Sequence, residues 1–148
     1  MAKEDIITKT IEISEAYDNM ASKIFENAKL LLKKGVISYK EYKQMMDNYY
    51  LPLMNYSSKI LIDHSNLIID GMEEYINKIK NATEELRTVS KKLKKSEEIF
   101  SGIIYLLASA ASVATFTLAP SRISFSAAFN TLSTSIEKLK ALTKKENT

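Results

Sequence analysis

Cysteine and tryptophan are absent from this 148-residue chain, glycine occurs three times, proline twice and histidine once. Without cysteine there are no disulfides, thiolate metal ligands or thiol nucleophiles. So little glycine and proline leaves few places for turns, and abundant Lys, Glu, Leu, Ala and Ile favours long helices, so the expected fold class is all-α. Charge is also missing in one place. Between Ser101 and Ile136 the only charged side chain is Arg122, although 26% of the chain is charged.

Catalytic groupings are equally scarce. His64 has Asp63 and Asp70 one and six positions away, and neither spacing sets a carboxylate beside the ring on a helix. Its heptad position makes it an interface histidine. Glu73, Glu74, Glu84, Glu85, Glu97 and Glu98 form pairs, but no Glu-x-x-His accompanies them, so a di-iron site is not expected. No glycine-rich phosphate loop occurs. The sequence therefore reads as non-enzymatic, with no catalytic residue, cofactor, metal or small-molecule substrate.

Residues 1–86 hold 11 basic and 14 acidic side chains, and residues 87–148 hold 10 basic and 4 acidic. The cations cluster as Lys91, Lys92, Lys94 and Lys95 before the charge-poor stretch, and as Lys138, Lys140, Lys144 and Lys145 after it. No aromatic is interleaved between Arg87 and Lys95, and Glu97 and Glu98 follow, so nucleic acid is not an expected partner. The start, MAKEDIITKT, has no apolar core of a secretory signal. The expected location is the cytoplasm, with association to a membrane as a further expectation.

Along the chain, Thr10, Ile13, Tyr17, Met20, Ile24, Asn27 and Leu31 recur at spacings of three and four, beside a second stripe of Ile7, Ile11, Ala21, Phe25, Ala28 and Leu32. Two stripes imply a helix with more than one neighbour. It should end at Gly35, in the left-handed position after Lys33 and Lys34. Ser38 and Glu41 then have capping-box spacing, with Ile37 and Tyr42 as a hydrophobic staple, so a new helix starts at once.

The stretch LLLKKGVISYKEYKQM, Leu30 to Met45, resembles the short helical hairpin of SHOCT-type bacterial domains. There a helix ends at glycine, an apolar pair and a Ser or Thr cap follow, and a Glu-rich helix resumes. It covers about a tenth of the chain and implies oligomerisation, although those modules usually lie at a C-terminus.

Pro52 marks either a fresh helix start or a kink. Beyond it, Met72, Tyr75, Ile79, Ala82, Leu86, Val89 and Leu93 continue a four-three alternation through Phe100, Ile103 and Leu107, which is a heptad seam. Unbroken from Leu53 to Thr117, such a helix would be ~98 Å long, giving an elongated molecule. The first and last helices would cover its ends and leave Met72 to Leu93 open. Either the helix bends at Gly71 or Gly102, or a second chain covers the seam. Self-association through Met72, Tyr75, Ile79, Leu86, Val89 and Leu93 is the favoured expectation, and the chain is expected to be a homo-oligomer. The whole chain, 1–148, is expected to form one helical domain: a hairpin over 1–51, a coiled-coil-like helix over 52–98, an apolar hairpin over 99–143 and a tail over 144–148.

The apolar hairpin has two readings. Phe100, Ile103, Leu107, Ala110, Ala114 and Thr117 shrink along the helix, as a close-packed bundle end requires. Alternatively, Ile99 to Ser121 is 23 residues without a charge, enough to cross the ~30 Å hydrocarbon core of a bilayer. Phe100, Ile103, Ile104, Leu107, Val113, Phe116, Leu118, Phe125 and Phe129 would line the contact in either case. In the membrane case a turn at residues 120–122 puts Lys91, Lys92, Lys94, Lys95, Lys138, Lys140, Lys144 and Lys145 on one side, against anionic headgroups. That layout is similar to helical pore-forming toxins and holin-like lysis proteins. The function expected from the sequence is thus a self-associating interaction protein whose C-terminal hairpin meets a membrane. The alternative is a soluble coiled-coil adaptor or small inhibitor of a partner protein.

Overall fold

A computed structural model describes residues 2–144, and every regular element among them is helical. Helix α1 spans Ala2–Lys33, α2 Tyr39–Met45, α3 Leu51–Ile62, α4 His64–Ile69, α5 Glu73–Ser90, α6 Ser96–Leu118 and α7 Arg122–Lys144, with a π-helical turn at Met46–Tyr50 joining α2 to α3. The molecule is an all-α bundle.

Local chemistry explains several boundaries. At Gly35, φ is +74°, and the amides of Gly35 and Val36 donate back to the carbonyls of Leu32 and Leu31, a Schellman ending of α1. Ser38 and Glu41 then form the reciprocal capping box. Pro52 does not restart the chain. Backbone angles stay helical on both sides of the π turn, so α2 and α3 run on through the expected boundary at 51–52. In a regular α-helix the proline ring would strike the carbonyl of Asn48, and a widened turn relieves that clash.

The long heptad helix is not formed. It is broken at Gly71, where φ is +65° and the amides of Gly71 and Met72 donate to Ile68 and Leu67, a second Schellman ending. It breaks again at residues 91–95, not at Gly102. There Asn27 donates to the Leu93 carbonyl at 2.8 Å, the carbonyl that would accept from Glu97 in a continuous helix. The Glu98 carboxylate accepts from the amides of Lys94 and Lys95 at 3.2 Å each. Both breaks fold the would-be rod back on itself. The accessible surface of 8221 Å² lies near the ~7,700 Å² of a compact monomer of this mass, so the expected elongation is replaced by a compact bundle.

These breaks supply the cover the seam lacked. Ile79, Leu86, Val89 and Leu93 are buried within the chain, and Met72 and Tyr75 are packed partly against the same core. One side of α5 meets α1, through Lys80 to Glu12 at 3.5 Å. Its other side meets α7, through Tyr75 stacked on Phe125 at 4.3 Å and Lys140 bonded to Glu85 at 3.0 Å. The six residues expected to bind a second chain are therefore occupied by intrachain packing. Helix α6 packs chiefly between α7 and α3, with Ile99, Ile103, Leu106, Ala110, Val113 and Phe116 fully buried.

Candidate functional site

The hairpin of α6 and α7 is the candidate site, and its register is set by close approach. At Gly102 an added Cβ would stand 2.7 Å from Leu93 Cδ1 and 3.0 Å from Leu139 Cδ2. Further along, Ser135 donates to the Tyr105 carbonyl at 3.0 Å and Ser112 to Thr131 at 3.1 Å. At the turn, Ser121 and Ser124 cap each other's amides at 3.0 Å.

The hairpin residues singled out in the sequence divide by environment. Ile103, Val113, Phe116 and Phe125 are buried, Phe100, Leu107 and Phe129 are half-buried against the core, and Ile104 and Leu118 are exposed. Close packing thus describes the inner face. The outer face, with Ser101, Ile104, Ala108 and Thr115 of α6 and Ser126, Ala127, Asn130 and Thr134 of α7, is exposed and uncharged. By length and composition α6 is a helix able to cross a membrane, and half of its most apolar window is buried in the bundle.

Most hydroxyl bonds in the hairpin stay inside it. Ser109, Thr115, Thr117 and Thr131 donate to carbonyls of their own helices, and Ser112 and Ser135 bond across the hairpin. Two links leave it. Tyr17 reaches Ser109 at 2.9 Å, and Asn66 of α4 donates to the Thr117 and Leu118 carbonyls at 3.2 Å each. Complete burial pushes the Tyr17 hydroxyl well above the usual tyrosine range, since the phenolate would be desolvated.

The two ends of the bundle differ. At the turn end, Ile62, Ile69, Leu118 and Ile123 are 64–84% exposed. Ile62 ends α3 just before Asn66, and Ile69 ends α4 just after it. This apolar tip is missing from the sequence-derived site, except for Leu118. Ile62 and Ile69 sit one heptad apart next to Asp63 and Asp70, and that adjacency to charge hides them.

At the other end the lysines gather. Lys92, Lys140 and Lys144 line one cavity of about 290 Å³, and Lys91 and Lys94 line a second of about 300 Å³ together with Lys23 and Arg87. Both lysine clusters thus reach the same end of the bundle, as a hairpin requires. Lys95 and Lys138 are exposed there, and Lys145 lies outside the described residues. Lys23 was not singled out in the sequence, because the α1–α5 contact that brings it there is tertiary.

His64 takes a local role. Its Nδ1 lies 2.9 Å from the Leu61 carbonyl, one turn earlier. No group of three or more His, Cys, Asp or Glu side chains gathers into a metal-holding cluster among the described residues. The chain matches no known protein family, no curated protein and no solved structure.

Proposed function

We propose that this protein acts without covalent chemistry, as a helical bundle that meets a membrane through α6 and α7. The observation that carries this reading is a hairpin whose only charge between Ser101 and Ile136 is Arg122 at its turn and whose hydroxyl bonds close mainly within itself. Such a hairpin exchanges water and bundle contacts for lipid while leaving few polar groups unpaired, the chief cost of entering hydrocarbon. The 23 residues of α6 measure ~34 Å at 1.5 Å per residue, against a hydrocarbon core of ~30 Å.

The two ends give the contact a direction. The tip of Ile62, Ile69, Leu118 and Ile123 would meet the acyl chains first, since aliphatic side chains held in water gain ~0.8 kcal/mol per CH₂ on burial. Lys92, Lys94, Lys95, Lys138 and Lys140 at the far end would remain with anionic headgroups, at ~1 kcal/mol each near the surface. Full insertion would require the hairpin to separate from α1, α3 and α5, and the Tyr17 and Asn66 links would break.

Flotation with phosphatidylglycerol-containing and pure phosphatidylcholine vesicles tests this function. The protein should float with the anionic vesicles, and Ile62→Ser/Ile123→Ser should reduce flotation without lowering the melting temperature. A wild-type protein that stays below both vesicle types and melts cooperatively would discard membrane contact. It would leave the soluble adaptor, for which the buried inner half of α6 is ordinary core.

A further inference from the structure

We infer that the cavity between α1 and the end of α5 is a binding site for a phosphate-bearing anion, independently of whether the hairpin meets a membrane. It has a volume of about 300 Å³ and is lined by Asn19, Met20 and Lys23 of α1, Arg87 and Ser90 of α5, and Lys91 and Lys94 of the following turn. Four of these seven side chains are cationic and none is acidic. Arg87 is paired with Glu84, its Nη2 at 2.9 Å and Nε at 3.1 Å from one carboxylate oxygen. Lys23, Lys91 and Lys94 make no ion pair among the described residues.

Three uncompensated ammonium groups facing one cleft repel each other, and a bound dianion removes that repulsion. The backbone that carries two of them is fixed. Leu93, between Lys91 and Lys94, is fully buried, its carbonyl is held by Asn27, and the Lys94 amide is held by Glu98. The cations are therefore brought together by the fold, with less ordering left for a ligand to impose. Part of their charge offsets the negative carbonyl end of α5, a role one or two lysines on α5 would fill. Lys23 belongs to α1, and its presence points to a ligand in the cleft.

The neighbouring cavity supplies the contrast. There Lys140 is engaged by Glu85 at 3.0 Å, so of its cations Lys140 is already compensated, whereas the α1 cavity holds three that are not. The size, at the lower end of the ~300–1,000 Å³ typical of ligand sites, suits a phosphate monoester. That group belongs equally to a soluble phosphate ester and to a phosphatidic acid headgroup.

Amide chemical shifts followed during titration with inorganic phosphate provide the test. Shifts should concentrate at Asn19, Lys23, Ser90, Lys91 and Lys94. The triple variant Lys23→Gln/Lys91→Gln/Lys94→Gln should bind at least about tenfold more weakly. The charge-matched triple Lys29→Gln/Lys40→Gln/Lys43→Gln, at exposed positions away from both cavities, should retain wild-type affinity. All six lysines are exposed, so both proteins should fold. Flotation with phosphatidic acid vesicles separates the sources: a loss confined to the first triple identifies the lipid headgroup, and equal flotation of both triples identifies a soluble ester. Equal weakening of phosphate binding by the two triples, or no response of the wild type, would overturn the site.

Discussion

Helices α5 and α6 continue one seam of apolar residues in the sequence, yet they end as different kinds of helix. Their inner faces are alike: Ile79 and Leu86 of α5 and Ile103 and Ala110 of α6 are all fully buried. Their outer faces differ. Helix α5 shows Glu74, Lys78, Asn81, Glu85 and Thr88 to solvent, whereas α6 shows Ser101, Ile104, Ala108, Thr115 and Leu118. Inner faces are under the common demand of filling a core. Folding makes no such demand of an outer face, so the proposed membrane contact rests on the outer surface of α6 beyond Glu97, and the charged surface of α5 offers no such contact.

The comparison breaks first if the inner faces are not equivalent. Leu86→Asp and Ala110→Asp should each destabilise the folded chain by roughly 3–5 kcal/mol, because each buries a carboxylate without a partner. Urea melts measure this. A Leu86→Asp protein that stays folded and only changes its sedimentation would restore the α5 seam as an interface between chains.

The outer faces should then separate. Ala108→Arg and Asn81→Arg both lie on exposed positions and should leave the melting temperature nearly unchanged. Only Ala108→Arg should weaken vesicle partition, by ~2.5–3.5 kcal/mol for a cation carried to the bilayer centre, or roughly two orders of magnitude. Equal partition of the two variants in flotation would remove the functional distinction between the helices.

A glycine inside α6 sharpens the picture. Gly102→Ala should cost about 1–3 kcal/mol, since the methyl group must displace Leu93 or Leu139 from a filled core. Thermal melts will show a smaller loss if those leucine ends rotate away.

The smallest effect concerns Tyr17, which joins α6 to the body. Tyr17→Phe should cost about 1 kcal/mol near neutral pH, as Ser109 keeps its bond to the Leu106 carbonyl. The folded protein holds this proton more tightly than the unfolded chain. Its contribution is therefore complete below the ordinary tyrosine pKa of ~10 and declines as pH rises above it. The phenylalanine variant should lose less stability than wild type between neutral and strongly alkaline pH in the same melts.

Sequence alone determined what depends on neighbours along the chain. The helical class, the Schellman end at Gly35, the capping box of Ser38 and Glu41, the first apolar stripe of α1 and the charge-poor run are local patterns, read from spacing and composition, whereas the second stripe of α1 leaves Ile11 exposed. The candidate site was partly legible for the same reason, since an uncharged run and its flanking lysines need no tertiary knowledge. Gly71 was visible as a break point, but the choice between bending there and pairing with another chain was not local. Tertiary structure decided where the long seam broke and what covered it. Asn27 claims the Leu93 carbonyl from 66 residues away, Asn66 gathers the end of α6 from 51 residues away, and Lys23 joins Arg87, Lys91 and Lys94 only because α1 lies beside α5. A heptad records which residues are apolar and at what interval. It carries no information on whether the apolar surface facing them belongs to a second chain or to the same chain folded back, because burial yields the same free energy from either source.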